Sequence, residues 1–598
     1  MLPEILTLDA LRAAYAAGTS PLQVVEEVIR RRAAWPDRAV FIAESPADDL
    51  RTEAAALLAR APDPNSLPLW GIPFAVKDNI DATPLPTTAA CPAFAYTPTA
   101  DAATVAKLRA AGALMIGKTN LDQFATGLNG TRSPHGAPRS VFDPAYVSGG
   151  SSSGSAVAVA AGLCAFALGT DTAGSGRVPA AFNNIVGVKP TPGLVSNAGL
   201  VPACRSIDVI TVFAPTVGDA VTVRRLMDGH DPADPFSRHA VPAGVRPAPR
   251  IGVLAADERE FHGNAEVEAL YDAAIARAEA LGATIVPFDY APFREAASLL
   301  YDGPFVAERL AAVEDFLASN ADDFDPTVRA IIEGAIPKTA AEAFRGRYRL
   351  EALRQQTAPT WAEVDFLLLP TSPTTCTVAA MQADPVAENS KFGRYTNFAN
   401  LFGLAAIAVP AGFGASGLPA GVMLVGPAFT DDALAPFAAR MHEAAAAGLG
   451  RDRAAPVPPA PAPHVPDGWI TLAVVGAHLS GMPLNPQLTE PGGVLLGLTT
   501  TAPGYRLYAL PGTTPPKPGL VRGPDETGPG IIVELWALPP AAFGAFVAAI
   551  PAPLGIGRLA LADGTSVPGF LAESAALDGA EDITAFGGWR AYLAAQAG

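Results

Sequence analysis

Residues 148–155 read Ser-Gly-Gly-Ser-Ser-Ser-Gly-Ser, and residues 169–180 read GTDTAGSGRVPA, with the small-residue run AVAVAAG (156–162) between them. A Gly/Ser-rich stretch of this kind admits three readings. A flexible linker would lack packed flanks, yet tightly apolar segments stand on both sides. A phosphate-cradling loop would end in a Lys-Ser/Thr pair, and none follows. The third reading is the nucleophile loop of a serine hydrolase. A serine hydroxyl is a poor nucleophile at neutral pH and needs a base within hydrogen-bond reach. The first 450 residues offer only His135, His230, His239, His262 and His442 as imidazoles. None sits in a triad motif, and no GxSxG elbow is evident. A base other than histidine is therefore expected.

Working outward, short β-rich runs such as Ala113–Gly117, Arg250–Leu254 and Ala283–Phe288 alternate with helical stretches such as Ala102–Ala111. This alternation predicts an α/β core with a mixed central sheet flanked by helices. The first hundred residues read as helices and connectors. Ser20-Pro21-Leu22-Gln23 predicts a capping box with proline at the first helical position. Residues 451–468, RDRAAPVPPAPAPHVPDG, are rich in Pro and Ala and read as a semi-rigid spacer. The expected division is a domain of 1–450, a linker of 451–468 and a small β-rich domain of 469–598, opening with a strand at Trp469–Val475.

The 598 residues are too many for one core. A net charge of −17 disfavours binding nucleic acid or an anionic membrane surface through bulk electrostatics. Four scattered cysteines, at 91, 164, 204 and 376, have no metal-ligand spacing and read as reduced thiols. No metal or cofactor is expected. The start lacks a basic region followed by an apolar run. No uncharged apolar run reaches the roughly 20 residues needed to span a bilayer. A cytoplasmic location is the expectation.

Three ordered segments carry a family resemblance: GIPFAVKDN (71–79), GGSSSGSA (149–156) and GTDTAGSGRVPA (169–180). DFLLLPTSPT (365–374), GLAAIAVPAG (403–412) and GLPAGVMLVG (417–426) support them. Together they resemble the amidase signature family over roughly residues 20–445. The resemblance implies a Ser-cisSer-Lys triad of Lys77, Ser151 and Ser175, with a cis peptide before Ser151. A lysine serves as a base only when neutral, so Lys77 must be desolvated. The apolar residues before it fit a buried site. Ser151 would relay a proton between Lys77 and Ser175. The backbone N–H groups of Thr172, Ala173 and Gly174 should face a developing oxyanion. Asp171 and Arg177 read as structural partners.

The triad does not choose the amide. Tyr301 and Arg309 in YDGPFVAERLAAV (301–313), with the appended C-terminal segment, resemble the allophanate hydrolase family. In that family a tyrosine and an arginine eight residues later hold the substrate, and Gly127 in FATGLNG matches a further backbone contact. Arginine's planar fork suits a carboxylate. The C-terminal segment resembles the C-terminal domain of that family, which is similar to the γ-glutamylcyclotransferase-like fold. The carrying residues are VVGAHLSGMPLN (474–485), GYRLYALPG (504–512) and GIIVELWALPP (530–540). His478 is the candidate acid/base or ligand there, with a structural histidine as the alternative. Glu534 reads either as an acid/base group or as a bridge between strands. The resemblance implies hydrolysis of allophanate, a small-molecule substrate, and a homodimer. Other readings are the A subunit of a tRNA-dependent amidotransferase, a broad-specificity amidase, or a catalytically silent scaffold.

Overall fold

A computed structural model describes residues 2–240, 249–459, 465, 468–523 and 528–596. The chain forms two units. The larger holds residues 250–461 together with those before 242, and the smaller holds 462–598.

The larger unit is built on one sheet of eleven strands. In chain order they are β1 (Phe41–Glu44), β2 (Pro73–Lys77), β3 (Leu114–Thr119), β4 (Phe166–Asp171), β5 (Val186–Lys189) and β6 (Val209–Ala214). They continue with β7 (Arg250–Leu254), β8 (Thr284–Phe288), β9 (Phe366–Pro370), β10 (Ala405–Phe413) and β11 (Pro419–Gly426). The order across the sheet is β1-β3-β2-β4-β6-β5-β10-β11-β9-β7-β8. β2 pairs in parallel with β3 on one side and β4 on the other, and β7 pairs in parallel with β8 and β9. The remaining pairings are antiparallel. The sheet is mixed, as the sequence predicts.

Parallel neighbours require crossovers, usually helical. Ala103–Ala110 connects β2 to β3, Ser153–Ala160 connects β3 to β4, and Ala265–Ala280 connects β7 to β8. β2 and β4 are buried along their whole length. Burial on both faces accounts for their largely apolar, non-alternating sequences, PFAVK and FALGTD. Both strands end on the same edge, at Lys77 and Asp171. In open α/β sheets, the carboxyl ends of parallel strands are where ligands bind.

Near the N-terminus, Pro21–Ala34 is a helix. The Ser20 side chain caps the Gln23 N–H and Gln23 reciprocates at the Ser20 N–H. β1 lies in the region read as helices and connectors. It is a four-residue edge strand, half-exposed on both faces, and so carries no alternation to read.

The first residues of the Pro/Ala-rich stretch belong to the surface of the larger unit. Leu449 and Asp452 exchange backbone hydrogen bonds, Arg451 N–H donates to Ala160 O, and the Arg453 guanidinium covers the Phe413 ring at 3.9 Å. Residues 460–464, 466 and 467 of the expected linker lie outside the described residues.

The smaller unit contains β12 (Ile470–Val474), β13 (Val494–Thr500), β14 (Tyr505–Ala509), β15 (Pro518–Arg522), β16 (Ile532–Leu538), β17 (Leu554–Ala560), β18 (Ser566–Ala572) and β19 (Glu581–Asp582). They form a five-stranded sheet ordered β13-β16-β12-β18-β17 and a three-stranded sheet ordered β15-β14-β19. Leu472, Val474, Leu507, Leu520, Val533, Trp536 and Leu538 are among the residues of its own core. This is the β-rich character expected of the C-terminal segment.

Candidate active site

Lys77 is the last residue of β2 and is completely buried. Its Nζ donates to Ser151 Oγ (2.8 Å) and to Thr170 Oγ1 (2.7 Å). Thr170 stands on β4, the parallel neighbour of β2, so two adjacent strand ends converge on one amine. Burial pushes the Lys77 pKa down to about 7, opposed by the nearby charges of Asp122, Asp208 and Asp171. A sizeable fraction of the amine is therefore neutral near pH 7, as a base must be.

Ser151 follows a cis peptide from Gly150. Its carbonyl accepts the Asp122 N–H (3.1 Å). The Asp122 carboxylate accepts the backbone N–H groups of Asn129 (3.2 Å), Gly130 (3.0 Å) and Arg132 (3.0 Å). A Cβ at Gly150 would lie 2.2 Å from Asp122 Oδ2, and one at Gly127 would lie 2.5 Å from it. Asp122 thus pins the Ser151 peptide and the 127–132 loop together, and both glycines are required by its closeness.

Ser175 Oγ donates to Gly127 O at 3.5 Å. The loop that carries Ser175 leaves the carboxyl end of β4. Gly174 has φ +151°, and a Cβ there would meet the Thr396 hydroxyl at 2.4 Å. Among the described residues, none accepts a hydrogen bond from the N–H groups of Thr172, Ala173 or Gly174. The loop is braced from beneath. Arg177 donates from Nε and Nη2 to the Asp171 carboxylate (2.9 and 3.0 Å), and both side chains are fully buried. Burial works against the Asp171 charge, but the Arg177 guanidinium holds its pKa below the usual carboxylate value. Asp171 and Arg177 are structural partners, as expected.

On the other side, Thr172 Oγ1 donates to Asp208. The Asp208 carboxylate also accepts the N–H groups of Ala203 (2.7 Å) and Cys204 (3.0 Å). Burial raises its pKa to about 6. The 203–208 turn is tied in turn to Glu308, whose carboxylate accepts from the Ser206 N–H (3.0 Å) and hydroxyl (2.5 Å).

The next residue, Arg309, is 2% exposed. Its guanidinium donates to Thr126 Oγ1 (2.9 Å), to Ala125 O (3.4 Å) and to Tyr301 Oη (3.1 Å), while Nε has no partner among the described residues. Tyr301, Arg309 and the segment carrying Gly127 are thus brought together. A cavity of about 510 Å³ opens here, with Tyr301, Leu128 and Asn397 in its wall. Arg132, Lys338 and Arg394 also line it, as does Arg294, which is ion-paired with Glu258; Asp302 is the one acid among the described lining residues, so the cavity's field favours an anion.

Thr170, Asp122 and Asp208 were not foreseen. Thr170 sits inside the quoted GTDT stretch, but the strand register sets Lys77 level with Gly169, so only the folded structure shows its contact with Lys77. Asp122 and Asp208 act through loop N–H groups, which leave no motif.

The family model for amidases matches residues 23–435. The chain belongs to the amidase family. A second model, for the allophanate hydrolase C-terminal domain, matches residues 470–594 of this amidase. Allophanate hydrolase from Kluyveromyces lactis has the same fold, with a TM-score of 0.91 and 40% identity over 99% of both chains. Urea amidolyase from Lachancea kluyveri is 45% identical over 88% of this chain, which covers 30% of that protein. The amidase therefore spans about a third of the length of that relative. The glutamyl-tRNA(Gln) amidotransferase A subunit of Thermosynechococcus vestitus is 39% identical over 60% of the chain.

In the smaller unit, His478 lies at the edge of a separate cavity of about 240 Å³. Its ring stacks on Phe570 (centroids 5.1 Å apart, 16° between planes) and meets the edge of Phe546. Its Nε2 is 2.9 Å from Gln487 Oε1. Burial lowers its pKa. Glu534 is held by the Ser480 N–H and hydroxyl, Trp536 Nε1 and Arg590 Nη2. That environment makes it a bridge rather than a free acid. No helix among the described residues is long and apolar enough to cross a membrane.

Proposed function

We propose that this amidase is an allophanate hydrolase. Its larger unit cleaves the terminal amide, and its smaller unit handles the product. Neutral Lys77 takes a proton from Ser151, which takes one from Ser175 as Ser175 Oγ attacks the amide carbonyl. The N–H groups of Thr172, Ala173 and Gly174 receive the developing oxyanion. The relayed proton goes out on ammonia, leaving Ser175 acylated. Water, activated by the same relay, then releases N-carboxycarbamate and restores Ser175.

The observation that carries the substrate assignment is the buried Arg309 guanidinium. It is bonded to Tyr301 and to the segment carrying Gly127, beside Ser175. Such a fork suits the substrate's carboxylate. The basic cavity wall supports the approach of an anion.

The second step is loss of CO2 from N-carboxycarbamate. The C–N bond to the departing carboxyl breaks, its electron pair stays on nitrogen, and nitrogen takes a proton. We assign the handling of that proton to His478. The resulting carbamate falls apart to ammonia and CO2.

We further propose a cytoplasmic homodimer. The four free thiols suit a reducing compartment. Ile336, Phe344 and Tyr348 expose large apolar surfaces (65, 57 and 68%) on the larger unit, as an interface would.

The deciding experiment measures ammonia release from allophanate against acetamide, benzamide and glutamine, for the native chain and Arg309→Ala. Preference for allophanate that collapses in the variant supports the assignment. Equal turnover of the simple amides would overturn it, and so would an unaffected variant.

A further inference from the structure

The small unit's cavity contains one charged side chain, Lys517, among its described lining residues. The other walls are apolar or neutral, and Val475, Phe546, Ile550 and Phe570 are prominent among them. Lys517 is half-buried at the entry to β15. Its backbone is committed, with the N–H donating to Thr513 Oγ1 and the carbonyl accepting from Leu510 N–H. Among the described residues its ammonium has no carboxylate partner, and no Asp or Glu lines the cavity. An unpaired cation in an otherwise apolar recess favours a bound anion. The cavity is smaller than the roughly 300–1,000 Å³ of pockets for drug-sized ligands, which suits a ligand of a few heavy atoms. His478 shares this space, and the Lys517 charge is felt at its imidazole, lowering its pKa further.

We infer that Lys517 is the anchor of a small-dicarboxylate site, holding one carboxylate of the ligand against the His478 ring while the other faces the apolar wall. The inference rests on the two-step reading above and names the group that selects the second substrate. The chemistry favours a single cation. The departing carboxylate must lose its charge to become CO2, and an apolar wall assists that loss. A second cation would stabilise the starting dianion more than the transition state and slow the step. The retained carboxylate keeps its charge throughout and gains from Lys517 at every stage. In the step, the bond from nitrogen to the departing carboxyl carbon breaks. The electron pair goes to nitrogen, which is protonated beside His478. Carbamate stays on Lys517 as CO2 leaves.

The test uses the intact chain turning over allophanate, with ammonia and CO2 followed together. Carbon-13 spectra watch for N-carboxycarbamate. Lys517→Met is expected to let CO2 release lag ammonia release at least tenfold, with the dianion accumulating, and Lys517→Arg is expected to recover part of the loss. Malonate, which replaces the central NH by CH2, is the binding probe. It should slow CO2 release in the native chain, and about tenfold more should be needed in Lys517→Met. If His478→Ala lags but Lys517→Met matches the native chain in CO2 ratio and malonate response, the anchor assignment is wrong and the two-step reading stands. If neither variant lags, the two-step reading fails and takes the anchor with it.

Discussion

Lys77 Nζ is 2.7 Å from Thr170 Oγ1, slightly closer than its 2.8 Å to Ser151 Oγ. Lys77 ends β2 and Thr170 is the penultimate residue of its parallel neighbour β4, so their separation is set by the sheet and not by a loop. Thr170 accepts from the charged amine and therefore favours the protonated form. It moderates how far burial drives the lysine toward neutrality.

The pH dependence follows from this pair. With the Lys77 pKa at about 7, the base form grows as pH rises, so kcat/KM for ammonia release should climb through about pH 7 and level off above it. Thr170→Val removes a bond to the ammonium worth about 1 kcal/mol. The inflection should move to lower pH by roughly 0.5–1 unit. An unmoved or upward-shifted inflection would deny the lysine its role as base.

Ser175→Ala should abolish labelling by a fluorophosphonate and cut ammonia release by about 10⁵-fold or more, the scale seen when a serine nucleophile is deleted. Lys77→Ala should retain a native far-ultraviolet circular dichroism spectrum while losing most activity. Active Lys77→Ala would mean that another group accepts the proton.

Arg177→Met leaves Asp171 charged, unpaired and wholly buried. Breaking a buried pair this way typically costs about 3–5 kcal/mol. Urea titration should show a corresponding fall in the midpoint. A change under about 1 kcal/mol would mean that the pair contributes little beneath the nucleophile loop.

Arg309→Lys keeps the charge but loses the planar fork. Its kcat/KM for allophanate should drop by on the order of 10²-fold, the effect of about 3 kcal/mol. KM should carry a large share of that loss. Measuring kcat and KM separately checks this, and a variant within threefold of the native chain would reject the carboxylate assignment.

The sequence exposed those parts whose chemistry is local. The loop from Ser148 to Ser155 and the GTDTAGSGRVPA stretch carry the serines proposed to react, and their glycines, in a few consecutive positions. Arg250–Leu254 was readable to the residue because a buried strand is a short apolar run with clear ends. Asp122 and Asp208 were illegible for the opposite reason. Each holds two or three backbone N–H groups that any residue could supply, so only the folded loops reveal them. β1 was missed because four half-exposed residues at a sheet edge show neither alternation nor a sustained apolar run.

Glu308 and Arg309 are neighbours in the chain with different duties. Arg309 reaches the segment bearing Gly127, while Glu308 grips Ser206 in the turn whose Asp208 steadies Thr172. On the proposed reading, selectivity and reactivity therefore share one mechanical train. Swapping the recognition helix for that of another amidase would also loosen the turn that aims the N–H groups of the nucleophile loop. Redesign toward a new amide should have to move the 203–208 turn together with the helix.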